Sequence, residues 1–197
     1  MRFKKVGERA LMTNGFLTML ERSFEADGVV YQRTVVTHPG AVVIVPMIGV
    51  TKVVMVKQFR SSIEAHLLEL PAGKRDVVGE DILVTADREL QEECGLKATR
   101  LVPLGSFLNS PGFTDEKTHV VLALGLAVVE SAPQSLEEAD MQVRTFDIGG
   151  LDEFSSLASL TDAKSIVGLL MAKTYLAQHP ADATSYPDAP EVRERVG

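Results

Sequence analysis

Gly73-Lys74-Arg75-Asp76-Val77-Val78-Gly79-Glu80-Asp81-Ile82-Leu83-Val84-Thr85-Ala86-Asp87-Arg88-Glu89-Leu90-Gln91-Glu92-Glu93-Cys94-Gly95-Leu96 is the stretch on which the fold turns. From about Asp81 to Glu93 the apolar positions Ile82, Leu83, Ala86 and Leu90 follow a helical period. Gly95 stands where a helix stop belongs. Within that helix Glu89, Glu92 and Glu93 stand at i, i+3 and i+4, offsets that share a face. With Ile82 as zero on a wheel of about 100° per residue, Glu89 and Glu93 fall at the flank of the apolar stripe. Glu92 lies further round. Carboxylates at a core boundary lose hydration unless a cation compensates them. Arg88, four residues before Glu92, is one such partner. A hard divalent ion with oxygen ligands is another. On spacing alone a solvated acidic helix face would be the simpler reading. The segment before the helix, Leu67-Leu68-Glu69-Leu70 then Pro71-Ala72-Gly73, reads as a strand and a loop, and can aim a backbone carbonyl such as that of Ala72 at the same cation.

The other elements frame this helix. Residues 1–39 are mixed and polar, with alternation over Val29–Val36 that predicts strands. His38-Pro39-Gly40 is a turn signal. Ala41–Met47 and Lys52–Arg60 read as two strands, Leu101–Leu108, Thr118–Val129 and Val143–Phe146 as three more, with a loop over Asn109–Lys117. Asp162–Gln178 reads as a second helix, with Ile166, Leu169, Leu170 and Ala177 near one face. A loose tail is expected from Pro180. The organisation expected is a β-rich segment over 1–39, a core domain over 40–179 and a flexible tail over 180–197.

The chain has 197 residues, 45% of them hydrophobic, enough for a core. Its net charge of −7 argues against a nucleic-acid partner. The single cysteine excludes an internal disulfide framework or a multi-cysteine zinc site and suits a cytoplasmic location. The longest apolar run, Val120 to Val129, is too short to cross a membrane, and the N-terminus lacks a signal-peptide core. Cys94, His66, His119 and the methionines read as packing or structural residues.

The stretch resembles the Nudix box, a Gly, five residues, Glu, seven residues, then Arg-Glu-apolar-x-Glu-Glu-x-Gly-apolar. Gly73, Glu80, Arg88, Glu89, Leu90, Glu92, Glu93, Gly95 and Leu96 match it. Six residues, not five, separate Gly73 from Glu80, which reads as a one-residue loop insertion at Val77-Val78-Gly79. Ser110-Pro111-Gly112-Phe113-Thr114-Asp115-Glu116-Lys117 resembles the loop of the ADP-ribose pyrophosphatase subgroup, with Pro111 at that subgroup's marker position. Also similar are His38-Pro39-Gly40, Gln58-Phe59-Arg60, Leu68–Lys74, Glu137-Glu138-Ala139-Asp140-Met141 and Asp162-Ala163-Lys164-Ser165. Zinc-bearing NADH pyrophosphatases, diadenosine-polyphosphate hydrolases and short nucleotide-triphosphate hydrolases fit less well.

The resemblance implies an α+β fold, a mixed sheet sandwiched between helices, with an N-terminal β-strand segment that forms a homodimer by exchange. It implies magnesium, with manganese a possible substitute, held by Glu89, Glu92, Glu93 and the Ala72 carbonyl. Glu92 is a further ligand or a base. Glu116, on a loop expected to be mobile, is the best candidate to deprotonate or orient the attacking water, and Glu80 and Arg88 support the box. Arg60 would meet substrate phosphates, Arg33 could contribute from a partner subunit, and Gly112 and Phe113 would contact substrate. Phe16, Tyr31 and Phe113 are candidate platforms for an adenine. The implied reaction is hydrolysis of ADP-ribose to AMP and ribose 5-phosphate. A broader nucleoside-diphosphate-sugar pyrophosphatase, for example on GDP-mannose, and a non-catalytic ADP-ribose sensor are the alternatives.

Overall fold

Strands β-branched enough to be buried on both faces set the architecture. Ala41-Val42-Val43-Ile44-Val45-Pro46-Met47 carries no exposed residue, the pattern of a central strand covered on both sides. The computed structural model describes residues 2–130, 140–148 and 160–184. Within them β1 (Lys4–Asn14), β2 (Leu17–Ala26) and β3 (Val29–Thr37) form an antiparallel sheet of their own. The second sheet holds β4 (Ala41–Ile48), β5 (Lys52–Arg60), β6 (Ala65–Glu69), β7 (Ala72–Lys74), β8 (Leu96–Leu108), β9 (Lys117–Val128) and β10 (Gln142–Asp147). Its order is β10-β5-β4-β9-β8, with β6 on β5 and β7 on β4. The β4–β9 pair is parallel and the other pairs are antiparallel, so the sheet is mixed.

A helix covers each face. Alternation along β4 sends Val43 and Val45 toward α2 (Ala163–Gln178), where they join Met55, Val120, Leu122, Leu169 and Ala172. Val42 and Ile44 face α1 (Ile82–Cys94) with Val54, Val56, Val121, Ala86, Leu90 and Cys94. Cys94 is a free, buried thiol in that cluster. The close seat of α2 depends on Gly168, where an added Cβ would come within 2.8 Å of Leu70 Cδ1. This is the sheet-between-helices arrangement expected from the sequence, with a separate three-stranded N-terminal sheet.

Three local expectations change. The loop at Pro71-Ala72-Gly73 contains the short strand β7, paired with Ala41–Val43. Strand β8 begins at Leu96, immediately after the helix stop, because its edge position tolerates the polar residues Lys97, Thr99 and Arg100. Pro180–Thr184, expected to open a loose tail, forms a short helix, α3. It is docked by Asp182, which accepts from Tyr175 Oη (2.6 Å) and from Arg100. Residues 137–139 and 185–197 lie outside the described residues. No helix among the described residues is long and apolar enough to cross a membrane.

The two helices that cover the sheet, α1 and α2, are each capped by an aspartate. Asp81 accepts from Leu83 N at 2.8 Å and Asp162 accepts from Ser165 N at 2.9 Å. Burial raises the Asp162 carboxyl, but the hydrogen bond and charge of Lys164 and the bonds from Ser165 outweigh it and hold it below its ordinary value. The carboxylate therefore stabilises the fold above about pH 3.8, its ordinary value, and that contribution is lost as pH falls through the depressed folded value. Asp162→Ala is expected to lower the unfolding free energy by about 1–2 kcal/mol near neutrality. Urea titrations of both proteins should show the gap narrowing in acid below that point. A gap independent of pH would contradict this account of the cap.

Candidate active site

The acidic helix meets a cavity of about 740 Å³ whose wall includes Glu89, Glu92, Glu93, Glu116, Arg60 and Lys164. Local capping and turn chemistry put the box glutamates there. Gly95 ends α1 in the left-handed conformation (φ 63°), with its N–H on Gln91 O at 3.0 Å. Ahead of the helix, Glu80 N donates to Val77 O at 3.2 Å and Gly79 takes φ 80°. That is the positive φ required at the third position of a type II turn. The inserted residue is thereby absorbed in an exposed turn. Glu80 still accepts from Thr85 Oγ1 at 2.7 Å.

Arg88 lies among three carboxylates. Its guanidinium is 2.8 Å from Glu89, 3.1 Å from Glu92 and 3.6 Å from Glu80. Burial lowers its pKa, but the charges of Glu89, Glu92 and Glu80 outweigh that and leave it raised. One positive charge is shared by three carboxylates, and Glu93, only 8% exposed, lines the same cavity. Glu93 accepts from Ala72 N at 3.0 Å, which ties α1 to β7. Glycine at 73 leaves Glu89 its present position, since a Cβ there would lie 1.8 Å from Glu89 Cδ and push that carboxylate aside. Among the described residues no three Asp, Glu, His or Cys side chains converge as a ready-made ligand set. The donors nevertheless fit a hard divalent cation. They are all oxygen, borne on one helix face, and the absent Cβ of Gly73 leaves Glu89 its place on the cavity wall.

The remaining sequence candidates divide. Glu116 lines the cavity, and its loop is held rather than loose: Val36 N donates to Phe113 O (2.8 Å), Asp115 N to Val36 O (3.3 Å), and His38 N to Asp115 Oδ1 (2.9 Å). Those bonds leave Phe113 58% exposed, and neither it nor Gly112 is on the cavity wall. Arg33 also stands outside it, exposed on β3 with its guanidinium 4.7 Å from the centre of the Tyr31 ring. Tyr31 packs on Phe24. Phe16 does reach the cavity, with Lys74 Nζ 4.5 Å from its ring centre and His38 against its edge. His66 and His119 are not on the wall. Burial, with Arg75 and Lys117 nearby, keeps the His119 pKa low.

Sequence reasoning assigned no role to Glu69, which is 1% exposed. It accepts from Arg60 Nε (2.8 Å) and Gln58 Nε2 (2.8 Å), and Lys164 Nζ is 3.8 Å away. The available signal was a glutamate at an inward position of a strand, between Leu68 and Leu70.

The NUDIX domain family matches residues 37–163, which contain α1 and the cavity residues Glu89, Glu92, Glu93, Glu116 and Arg60. The chain belongs to that family. The ADP-ribose pyrophosphatase of Bacillus subtilis is 37% identical over 71% of this chain and 75% of its own length. That of Mycobacterium tuberculosis is 39% identical over 73% and 69%. A methanol dehydrogenase activator of Bacillus methanolicus is 35% identical over 73% and 77%. Among solved structures, an ADP compounds hydrolase superposes with a TM-score of 0.78 at 18% identity, covering 91% of this chain and 96% of that one, a likeness of fold.

Proposed function

We propose that this Nudix chain is a divalent-metal-dependent pyrophosphatase that hydrolyses ADP-ribose to AMP and ribose 5-phosphate. The observation that carries the reading is the presence of Glu89, Glu92, Glu93 and Glu116 on one cavity wall together with Arg60. The ADP-ribose pyrophosphatases among its relatives support the substrate. Glu89, Glu92, Glu93 and the Ala72 carbonyl would hold magnesium, or manganese in its place, which supplies charge neutralisation at phosphate and a more acidic water. The ion would compete with Arg88 for Glu89 and Glu92. Glu116 accepts a proton from the attacking water as the water oxygen bonds phosphorus. The bridging P–O bond breaks and its electron pair leaves on the departing phosphate. Arg60 holds phosphate oxygens through the guanidinium edge turned away from Glu69.

Purified protein with magnesium should release AMP from ADP-ribose faster than it cleaves GDP-mannose, NADH or diadenosine polyphosphates. Glu93→Gln should lower kcat by about a hundredfold or more, the scale of losing a group that acts in the transition state. Faster cleavage of GDP-mannose would support the broader nucleoside-diphosphate-sugar reading. Tight ADP-ribose binding without turnover would support a sensor.

We also propose a homodimer built through the N-terminal sheet. Val6, Leu11, Met12, Val29 and Val30 are large apolar side chains exposed on β1–β3. Segment exchange would bring Arg33 to the neighbour's cavity. Sedimentation should give twice the 21.4 kDa chain mass, and Met12→Asp with Val30→Asp should shift it toward monomer. A monomer at micromolar concentration would contradict the proposal.

A further inference from the structure

Opposite in charge to the acidic helix, Arg60 and Lys164 present two cations on the same cavity wall. They come from different elements, β5 and the first turn of α2, yet both lie within ion-pair distance of one buried carboxylate, Glu69. Arg60 places Nε and Nη2 on Glu69 Oε2, at 2.8 and 2.6 Å. Lys164 Nζ donates to Asp162 Oδ1 at 2.7 Å and stands 3.8 Å from Glu69 Oε1. Gln58 Nε2 also donates to Glu69, and Ser165 Oγ donates to Asp162 Oδ2 at 2.7 Å while accepting from Leu70 N. Glu69 and Asp162 are 1% and 7% exposed, whereas the Arg60 and Lys164 side chains are 36% and 22% exposed. The anionic ends of the network are inside and the cationic ends face the cavity.

A buried ion-pair network gains little over apolar packing as a source of stability. What it does supply is fixed rotamers for two long side chains that otherwise carry much conformational freedom. Donors remain for a ligand. A guanidinium has five N–H groups and an ammonium three, and the contacts above use only part of each set. Two fixed cations facing a cavity suit an anion with oxygens at two centres, and a diphosphate has that form.

We propose that Lys164 is a second diphosphate-binding cation beside Arg60, and that Glu69 and Asp162 are positioning residues that hold the two cations as a clamp. The nature of the anion rests on the pyrophosphatase reading above. The clamp itself is tested by binding. Calorimetric titration with magnesium pyrophosphate, and ADP-ribose kinetics, are to be measured for wild type, Lys164→Met, Lys164→Arg and Glu69→Gln, with thermal midpoints as a control. Lys164→Met is expected to weaken pyrophosphate binding about tenfold, the usual scale for losing a charged hydrogen bond. It should raise KM for ADP-ribose by a similar factor, lower kcat by less than KM rises, and lower the midpoint, because the buried Asp162 and Glu69 lose a cation. Lys164→Arg should recover most of that loss, and Glu69→Gln should move KM in the same direction as Lys164→Met. If wild type fails on ADP-ribose while Lys164→Met still loses pyrophosphate affinity, the substrate assignment falls and the clamp stands. Pyrophosphate affinity in Lys164→Met equal to wild type overturns the clamp. So does Lys164→Arg falling as far as Lys164→Met with a lowered midpoint, since that marks a purely structural lysine.

Discussion

The guanidinium of Arg88 lies between the carboxylates of Glu80, Glu89 and Glu92, and the geometry of the site follows from that contact. Without a cation among them these carboxylates would repel one another and lose hydration at the core boundary. With one, they are fixed on one side of the helix while Leu90 and Ala86, on the other, are fully buried against β4 and β9. The helix is thus held by apolar packing on one face and by shared charge on the other. Glu93 adds the tie to β7 through Ala72 N, and Gly73 leaves room for Glu89.

The cavity that results is lined by two chemically distinct sets of side chains. Carboxylates from α1 and from the Glu116 loop suit a divalent cation. Arg60 and Lys164, anchored on Glu69 and Asp162, suit an oxyanion. A diphosphate ester and its metal need both. The mixed sheet positions both sets: β7 and β5 pair along the same edge of β4, at Ala41–Val43 and Met47–Ile48, while α1 and α2 cover opposite faces of the sheet.

Much of this was legible in the sequence wherever periodicity or a fixed spacing carried the information. Helix α1, the strands β4, β5 and β9, and the shared face of Glu89 and Glu93 follow from residues 41–60, 73–96 and 118–129, whereas Glu116 and Arg60 stand out only through the resemblance to the family. Less legible were features that depend on contacts between distant segments. The burial of Glu69 depends on Arg60 and Lys164, from different elements, meeting on it. Phe16 reaches the cavity because a turn of the N-terminal sheet folds over it, while Phe113, of the same residue type, is turned outward by backbone bonds to Val36. Strand β7 is three residues long and is defined by its pairing with β4, which no local pattern announces. The docking of α3 depends on Asp182 meeting Tyr175 and Arg100, far apart in sequence.

The face of α1 carrying Glu89 and Glu93 is proposed as a divalent-cation site that depends on the absent side chain at Gly73. Electron paramagnetic resonance of manganese titrated into wild type, Glu93→Gln and Gly73→Ala tests it without reference to turnover. Manganese should bind wild type, and both variants should lose about tenfold or more in affinity, the scale of losing one charged ligand contact. Equal manganese affinity in all three proteins would contradict it.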